Sequence, residues 1–251
     1  MRILTLARDL RRRKARERED LFVVEGIRTI EELLRSPLEV VGVLVAPKLN
    51  DSPRGAALLN SMKEQGRTVS EVDEKEFRSA AETESPQGVL AIARVPSRSL
   101  DALSGASPLR ILVLDAVQDP GNVGTLLRTA AALGAHATIA LPGTVDVWNA
   151  KVVRSAMGAH FHHLTLHTTW DDLGAFLKRS QVPLWAADSR GEPWSGTAPR
   201  RLALAVGNEG SGLTAPVKAA ADRLIGLRIS LAMDSLNVAV AAGILLHELR
   251  P

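Results

Sequence analysis

Between Ile111 and Gly134 the chain reads ILVLDAVQDPGNVGTLLRTAAALG, an apolar run that breaks at a Pro-Gly-Asn turn into an Ala- and Leu-rich segment carrying one Arg, Arg128. A strand, a tight Gly-containing turn and a helix in that order form the repeating unit of an α/β sheet. The same order sets polar residues at the carboxyl end of a strand, where open α/β sheets bind their ligands. Asn122, at the predicted helix start, and Arg128, six residues later, are therefore site candidates. The competing reading is an Asn that caps the helix and an Arg that faces solvent.

Similar alternation along the whole chain predicts an α/β fold. The first part reads as a helix from about Ile3, strands at Leu21–Val24, Val40–Val45 and Val89–Val95, and helices at Arg28–Arg35 and from Ser52-Pro53 to near Gly66. A small-residue stretch at 97–108 divides a first domain, 1–96, from a second, 109–251. The second domain continues with strands at Ala137–Leu141, Phe161–Leu166, Leu184–Ala187, Leu202–Val206 and Leu224–Ile229. Helices are predicted around Val147–Met157, at Asp171–Arg179 and at Asn237–Leu249. Unbroken Val, Leu and Ala runs predict a mostly parallel sheet buried on both faces.

Charge and composition narrow the function. The first twenty residues, MRILTLARDLRRRKARERED, hold eight Lys or Arg against four Asp or Glu, while the whole chain is only +3. The positive excess sits in this one segment, as expected for a surface that meets phosphates. Arg8, Arg11, Arg12, Arg13, Lys14 and Arg16 spread over adjacent turns of a helix whose Ile3, Leu6 and Leu10 face inward. The alternative is a solvated helix with internal Glu–Arg pairs. The chain has no Cys, which excludes disulfides, thiolate metal sites and Cys nucleophiles. No apolar run approaches the ~20 residues needed to span a bilayer, so the expectation is a cytoplasmic protein without a membrane partner. His160, His162, His163 and His167 cluster around one predicted strand. Alternation sends them to opposite faces with no carboxylate to complete a ligand set, so no metal site is expected. Arg154 and Ser155, at a predicted helix end, either touch a nucleic acid or meet the helix dipole.

Two further turns match the first. LALAVGNEGSGL, Leu202 to Leu213, is a buried strand that ends in a Gly-rich loop around Asn208 and Glu209. ISLAMDSLNVAVAA, Ile229 to Ala242, puts Ser235 and Asn237 at the start of an apolar helix, where capping is the simpler reading. Taken in order, PGNVGTLLR, VGNEGSGL and SLNVAVAAGILL resemble the three motifs of the SpoU or TrmH branch of the SPOUT superfamily, RNA ribose 2′-O-methyltransferases. LRRRKARERED followed by LFVVEGIRTIEELL resembles the opening of the family's small substrate-binding domain, and SPQGVLAIA its closing strand.

The resemblance implies a smaller L30e-like α/β domain followed by a catalytic α/β domain with a C-terminal trefoil knot, working as a homodimer. It implies S-adenosyl-L-methionine as cofactor and ribosomal RNA, of the 23S type, as substrate. Arg128, Asn122, Glu209, Ser235 and Asn237 are then catalytic. Val206, Gly207, Ile229, Leu236 and Asn237 hold the cofactor, largely through backbone. A guanidinium, with pKa above about 12, is a poor base. Arg128 is therefore expected to stabilise the developing alkoxide and anchor a phosphate, with Asn122 and Asn237 orienting it or the ribose. The third motif is about two residues shorter than the family's usual spacing, with Ser230 where Pro is common. Two alternatives stay open: a non-catalytic RNA-binding or ribosome-assembly protein on the same fold, and the same chemistry on tRNA. A Rossmann-type nucleotide enzyme is disfavoured, because no acidic residue ends a second strand as ribose recognition there requires.

Overall fold

The computed structural model describes residues 3–230 and 235–250. It divides into two compact units, Met1–Ser97 with Trp148–His162, and Arg98–Val147 with His163–Pro251.

The first unit contains α1 (Ile3–Asp9), α2 (Arg13–Glu19), β1 (Leu21–Glu25), α3 (Ile27–Arg35), β2 (Val40–Val45), α4 (Pro53–Glu64), β3 (Val69–Glu71), α5 (Glu74–Ala80) and β4 (Val89–Arg94). Its sheet runs β1-β4-β2-β3, antiparallel except where β2 meets β3. Leu6, Leu10, Leu44, Phe77, Leu90 and Ile92 fill its core. Ser52 caps α4 by accepting the Gly55 N–H at 3.0 Å, as the Ser-Pro signal predicts.

The single N-terminal helix expected from sequence is two. Arg16 turns inward and donates from Nη1 to the carbonyls of Leu10 and Arg11, at 2.7 and 3.0 Å. Those carbonyls would have bonded the next turn of an unbroken helix. Arg16 is only 5% exposed, so it leaves the basic surface to which the sequence assigned it. The pattern also misses β3 and α5, since α5, EKEFRSA, turns only Phe77 and Ala80 fully inward.

The second unit opens with β5 (Leu109–Asp115), α6 (Pro120–Ala132) and β6 (Ala137–Ala140). Helices α7 (Ala150–Ser155) and α8 (Ala159–His162) follow in the chain but belong to the first unit. There Trp148 and Phe161 lie against Phe22, with ring centroids 4.6 and 6.4 Å apart. Phe161 and His162 are helical here, with the Phe161 N–H bonded to the Gly158 carbonyl at 3.1 Å, where a strand was expected. The second unit resumes with β7 (Leu164–His167), α9 (Trp170–Arg179), β8 (Leu184–Pro193), β9 (Arg201–Gly207), α10 (Ala215–Ala220), β10 (Arg223–Gly226) and α11 (Val238–Glu248).

Its six strands run β10-β8-β9-β5-β6-β7, and every pairing is parallel. From β5 the chain steps outward through β6 to β7, then crosses back to β8 and fills in β9 beside β5. That reversal places the switch point between β5 and β9, the position at which such sheets bind ligands. Helix α11 packs on α6, and Arg110 Nε donates to the Leu249 carbonyl at 2.6 Å.

Candidate active site

Because β5 and β9 are neighbours with Asp115 opposite Gly207, the first two motif turns leave the sheet side by side. They are bonded to each other. Buried Asp115 accepts the Thr214 N–H and hydroxyl at 2.6 and 3.1 Å, and Asn208 Nδ2 donates to the Ala116 carbonyl at 3.0 Å. Asn208 Oδ1 in turn accepts the N–H groups of Gly210 and Ser211, which closes the loop on itself. A Cβ on Gly207 would stand 2.3 Å from the Gly212 carbonyl carbon, so only glycine allows this loop to fold back so tightly.

The helix cap of the first motif is Asp119, which accepts the Asn122 N–H at 2.7 Å. Asn122 is thus the third residue of α6 and not its cap, which sets aside the capping alternative and releases its side chain. Its Nδ2 donates to Glu209 Oε1 at 2.8 Å, and its Oδ1 accepts from Asn237 Nδ2 at 3.0 Å. Asn237 caps α11 through Oδ1, accepting the N–H groups of Ala239 and Val240. Capping and site are therefore one arrangement, since the amide's two ends do different work. An unbroken relay Asn237–Asn122–Glu209 joins all three motif turns.

Beside it lies a cavity of about 610 Å³, lined by all five residues assigned to the cofactor: Val206, Gly207, Ile229, Leu236 and Asn237. Glu209 and Ser235 share the lining. Residues 231–234, on which the shortened third-motif spacing falls, lie outside the described residues. Arg128 is exposed on α6, and no hydrogen bond or ion pair joins its guanidinium to a described residue.

The sequence missed Asp188, Arg190 and Lys218, which line the same cavity. Lys218 Nζ donates to Asp188 Oδ2, and the Arg190 N–H donates to Oδ1 at 2.9 Å. The Lys218 ammonium, helped by that N–H, holds the Asp188 carboxyl below the usual carboxylate range. Spacing gave no signal because β8 is interrupted. Its pairing with β10 jumps from Leu224–Ala186 to Ile225–Glu192, so residues 187–191 leave the ladder.

Of the basic candidates, Arg8 bonds Ser79 Oγ at 2.7 Å and Arg11 bonds its carbonyl at 3.3 Å, while Arg12 pairs with Asp9 and Arg13 with Glu17. Lys14 is exposed, and Arg154 is half-buried on α7 in the first unit. The histidines are separated: His160 lies against Trp148, His163 bonds Thr138 Oγ1 at 2.9 Å, and His167 accepts the Val147 N–H at 3.1 Å.

Comparison with known proteins agrees with this geometry. Residues 4–91 match the MRM3-like substrate binding domain. The chain is 36% identical to 23S rRNA (guanosine(2553)-2′-O)-methyltransferase RlmP of Bacillus subtilis, covering 96% of this chain and 93% of that protein. It is 30% identical to 23S rRNA (guanosine-2′-O-)-methyltransferase RlmB of Bordetella pertussis, over 90% and 95%. The crystal structure of an AdoMet-bound rRNA methyltransferase from Sinorhizobium meliloti superposes with a TM-score of 0.85 at 26% identity, over 98% of this chain and 93% of that one. Residues 109–247, the span that holds the relay and the cavity, match the SpoU rRNA Methylase family, and the chain belongs to it.

Proposed function

We propose that this protein methylates a ribose 2′-hydroxyl of large-subunit ribosomal RNA, with S-adenosyl-L-methionine as methyl donor. The observation that carries the reading is the Asn237–Asn122–Glu209 relay, which ties the three motif turns to one another at the rim of the cavity. About 610 Å³ is within the ~300–1,000 Å³ range of small-molecule sites, and Gly207 keeps the second motif loop folded back on the cavity wall. The bound donor supplies an electrophilic methyl on a sulfonium.

The chain's own residues then orient the acceptor. Arg128 is free to meet the phosphate beside the target ribose and to stabilise negative charge as the hydroxyl loses its proton, which passes to solvent or phosphate. Glu209, through Asn122, fixes the start of α6 and so the line along which Arg128 reaches. Ser235, exposed at the cavity, is suited to hold a second phosphate oxygen. The first unit, which we read as L30e-like, binds RNA through Arg8, Arg11, Arg12, Arg13, Lys14 and Arg154.

Helix α11 presents Val240 and Ile244, 53% and 39% exposed, and Leu236, 39% exposed, stands just before its cap, the three spaced four residues apart. A stripe of that kind suits a second copy of the chain, which supports a homodimer. The return of the chain from edge strand β10 to α6 supports a C-terminal knot. No described helix is long and apolar enough to cross a membrane, in keeping with a cytoplasmic enzyme. The test is incorporation of labelled methyl from S-adenosylmethionine into transcribed 23S rRNA, with the product nucleotide mapped by mass spectrometry. Arg128→Ala abolishes transfer and leaves cofactor affinity nearly unchanged. Turnover like wild type by that variant refutes the assignment.

A further inference from the structure

The excursion at residues 187–191 is built, not frayed. A Cβ on Gly191 would stand 2.4 Å from the Ile225 carbonyl carbon, and one on Gly226 would stand 2.6 Å from the Gly191 carbonyl oxygen. The two backbones are in contact, and only glycine permits it. Asp188 is held inside this excursion with its side chain 12% exposed, on the wall of the cavity that Gly207, Ile229 and Leu236 also line.

Each carboxylate oxygen of Asp188 has one hydrogen-bond partner, Lys218 Nζ on Oδ2 and the Arg190 N–H on Oδ1. An ionised carboxylate has about four acceptor positions, so two stay available. Two cations already crowd the group, because Arg190 Nε is also 3.6 Å from Oδ1. A ligand ammonium would meet their repulsion, whereas neutral hydroxyls would not. Two adjacent acceptor positions match a vicinal diol. An acidic side chain just beyond the end of a parallel strand's ladder is also where nucleoside ribose is read in other α/β sheets.

We propose that Asp188, clamped by Lys218 and the Arg190 main chain, is the specificity-determining residue that accepts both hydroxyls of the methyl donor's ribose. This rests on the reading of the cavity as the donor site. The full-length protein is titrated calorimetrically with S-adenosylmethionine, with 5′-methylthioadenosine, which lacks the amino acid, and with the 2′,3′-dideoxy form of 5′-methylthioadenosine. In wild type, removing the hydroxyls weakens binding about tenfold or more, the scale of hydrogen bonds to a charged group. In Asp188→Asn, S-adenosylmethionine and 5′-methylthioadenosine lose affinity by the same factor, and the dideoxy analogue binds as it does to wild type.

Equal affinity of wild type for the two thioadenosines overturns the inference, and needs no variant to fold. Loss confined to S-adenosylmethionine in Asp188→Asn also overturns it, by assigning the carboxylate to the amino acid. Ala241→Trp, which fills the cavity from its α11 wall, separates the two levels, because it blocks all three ligands if the cavity is the donor site. Binding like wild type by that variant refutes the donor site itself.

Discussion

Asn122→Ala cuts the relay at its middle while sparing the cap of α6, which belongs to Asp119. The variant loses one hydrogen bond to a carboxylate and one from an amide. Asn122 is only partly buried and Glu209 and Asn237 are exposed, so water takes up the orphaned groups. The stability cost is then about 1 kcal/mol, at the low end for hydrogen-bond loss. The chemical cost is larger. A displacement of ~1 Å in groups that orient a reaction costs on the order of 10²-fold in rate. That is about 2.7 kcal/mol of barrier. Single-turnover methyl transfer should therefore slow about a hundredfold, while calorimetric affinity for S-adenosylmethionine stays within about threefold. Glu209→Ala should slow turnover similarly, and the double variant should be no worse than either single one, since both break one unit. Additive losses, or turnover within about threefold of wild type in Asn122→Ala, would refute the relay as a positioning device.

Replacing Arg11, Arg12 and Arg13 together should weaken RNA binding and flatten its dependence on salt, measured by filter binding across ionic strength. An unchanged slope would make the segment a solvated face. His163 is buried, and desolvation, with Arg98 and His136 nearby, pulls its pKa from 6.5 to about 4. The unfolded chain binds the proton more readily, so the stability from neutral His163 is complete above pH 6.5 and is lost as pH falls towards about 4. The shift corresponds to roughly 3 kcal/mol. Chemical denaturation from pH 7.5 to 4 should show a shallower decline in His163→Gln, and parallel curves would contradict the burial argument.

The strands of the central sheet were legible because they are buried on both faces and so are written in unbroken apolar letters, as in β5 and β9. The three turns were legible as candidates from their residue types, and their order carried the family resemblance. What sequence could not supply was the partner of each polar group. Nothing in spacing distinguishes an Asn that caps from one that bridges, and Asn237 does both. Asp119, the actual cap of α6, stands one residue before the Pro that marks the helix start, so the Asp-Pro pair carries the cap signal that Asn122 only imitates. Asp188 was hidden for a different reason. Its setting comes from a register jump, and register belongs to pairs of strands, not to one. Arg16 is the converse case, a charged residue at a surface-like position whose guanidinium satisfies backbone carbonyls.

The first unit closes only when Trp148–His162 joins Met1–Ser97. During synthesis, then, the N-terminal segment waits with Phe22 uncovered while the whole of β5, α6 and β6 is made, and its native contacts of long sequence separation form late. A fragment that stops at residue 97 contains every strand of that sheet and still lacks the rings of Trp148 and Phe161 that cover Phe22. The chain is therefore not a string of two independently folding beads, and a gene fusion or truncation drawn at the apparent linker would cut through a folding unit.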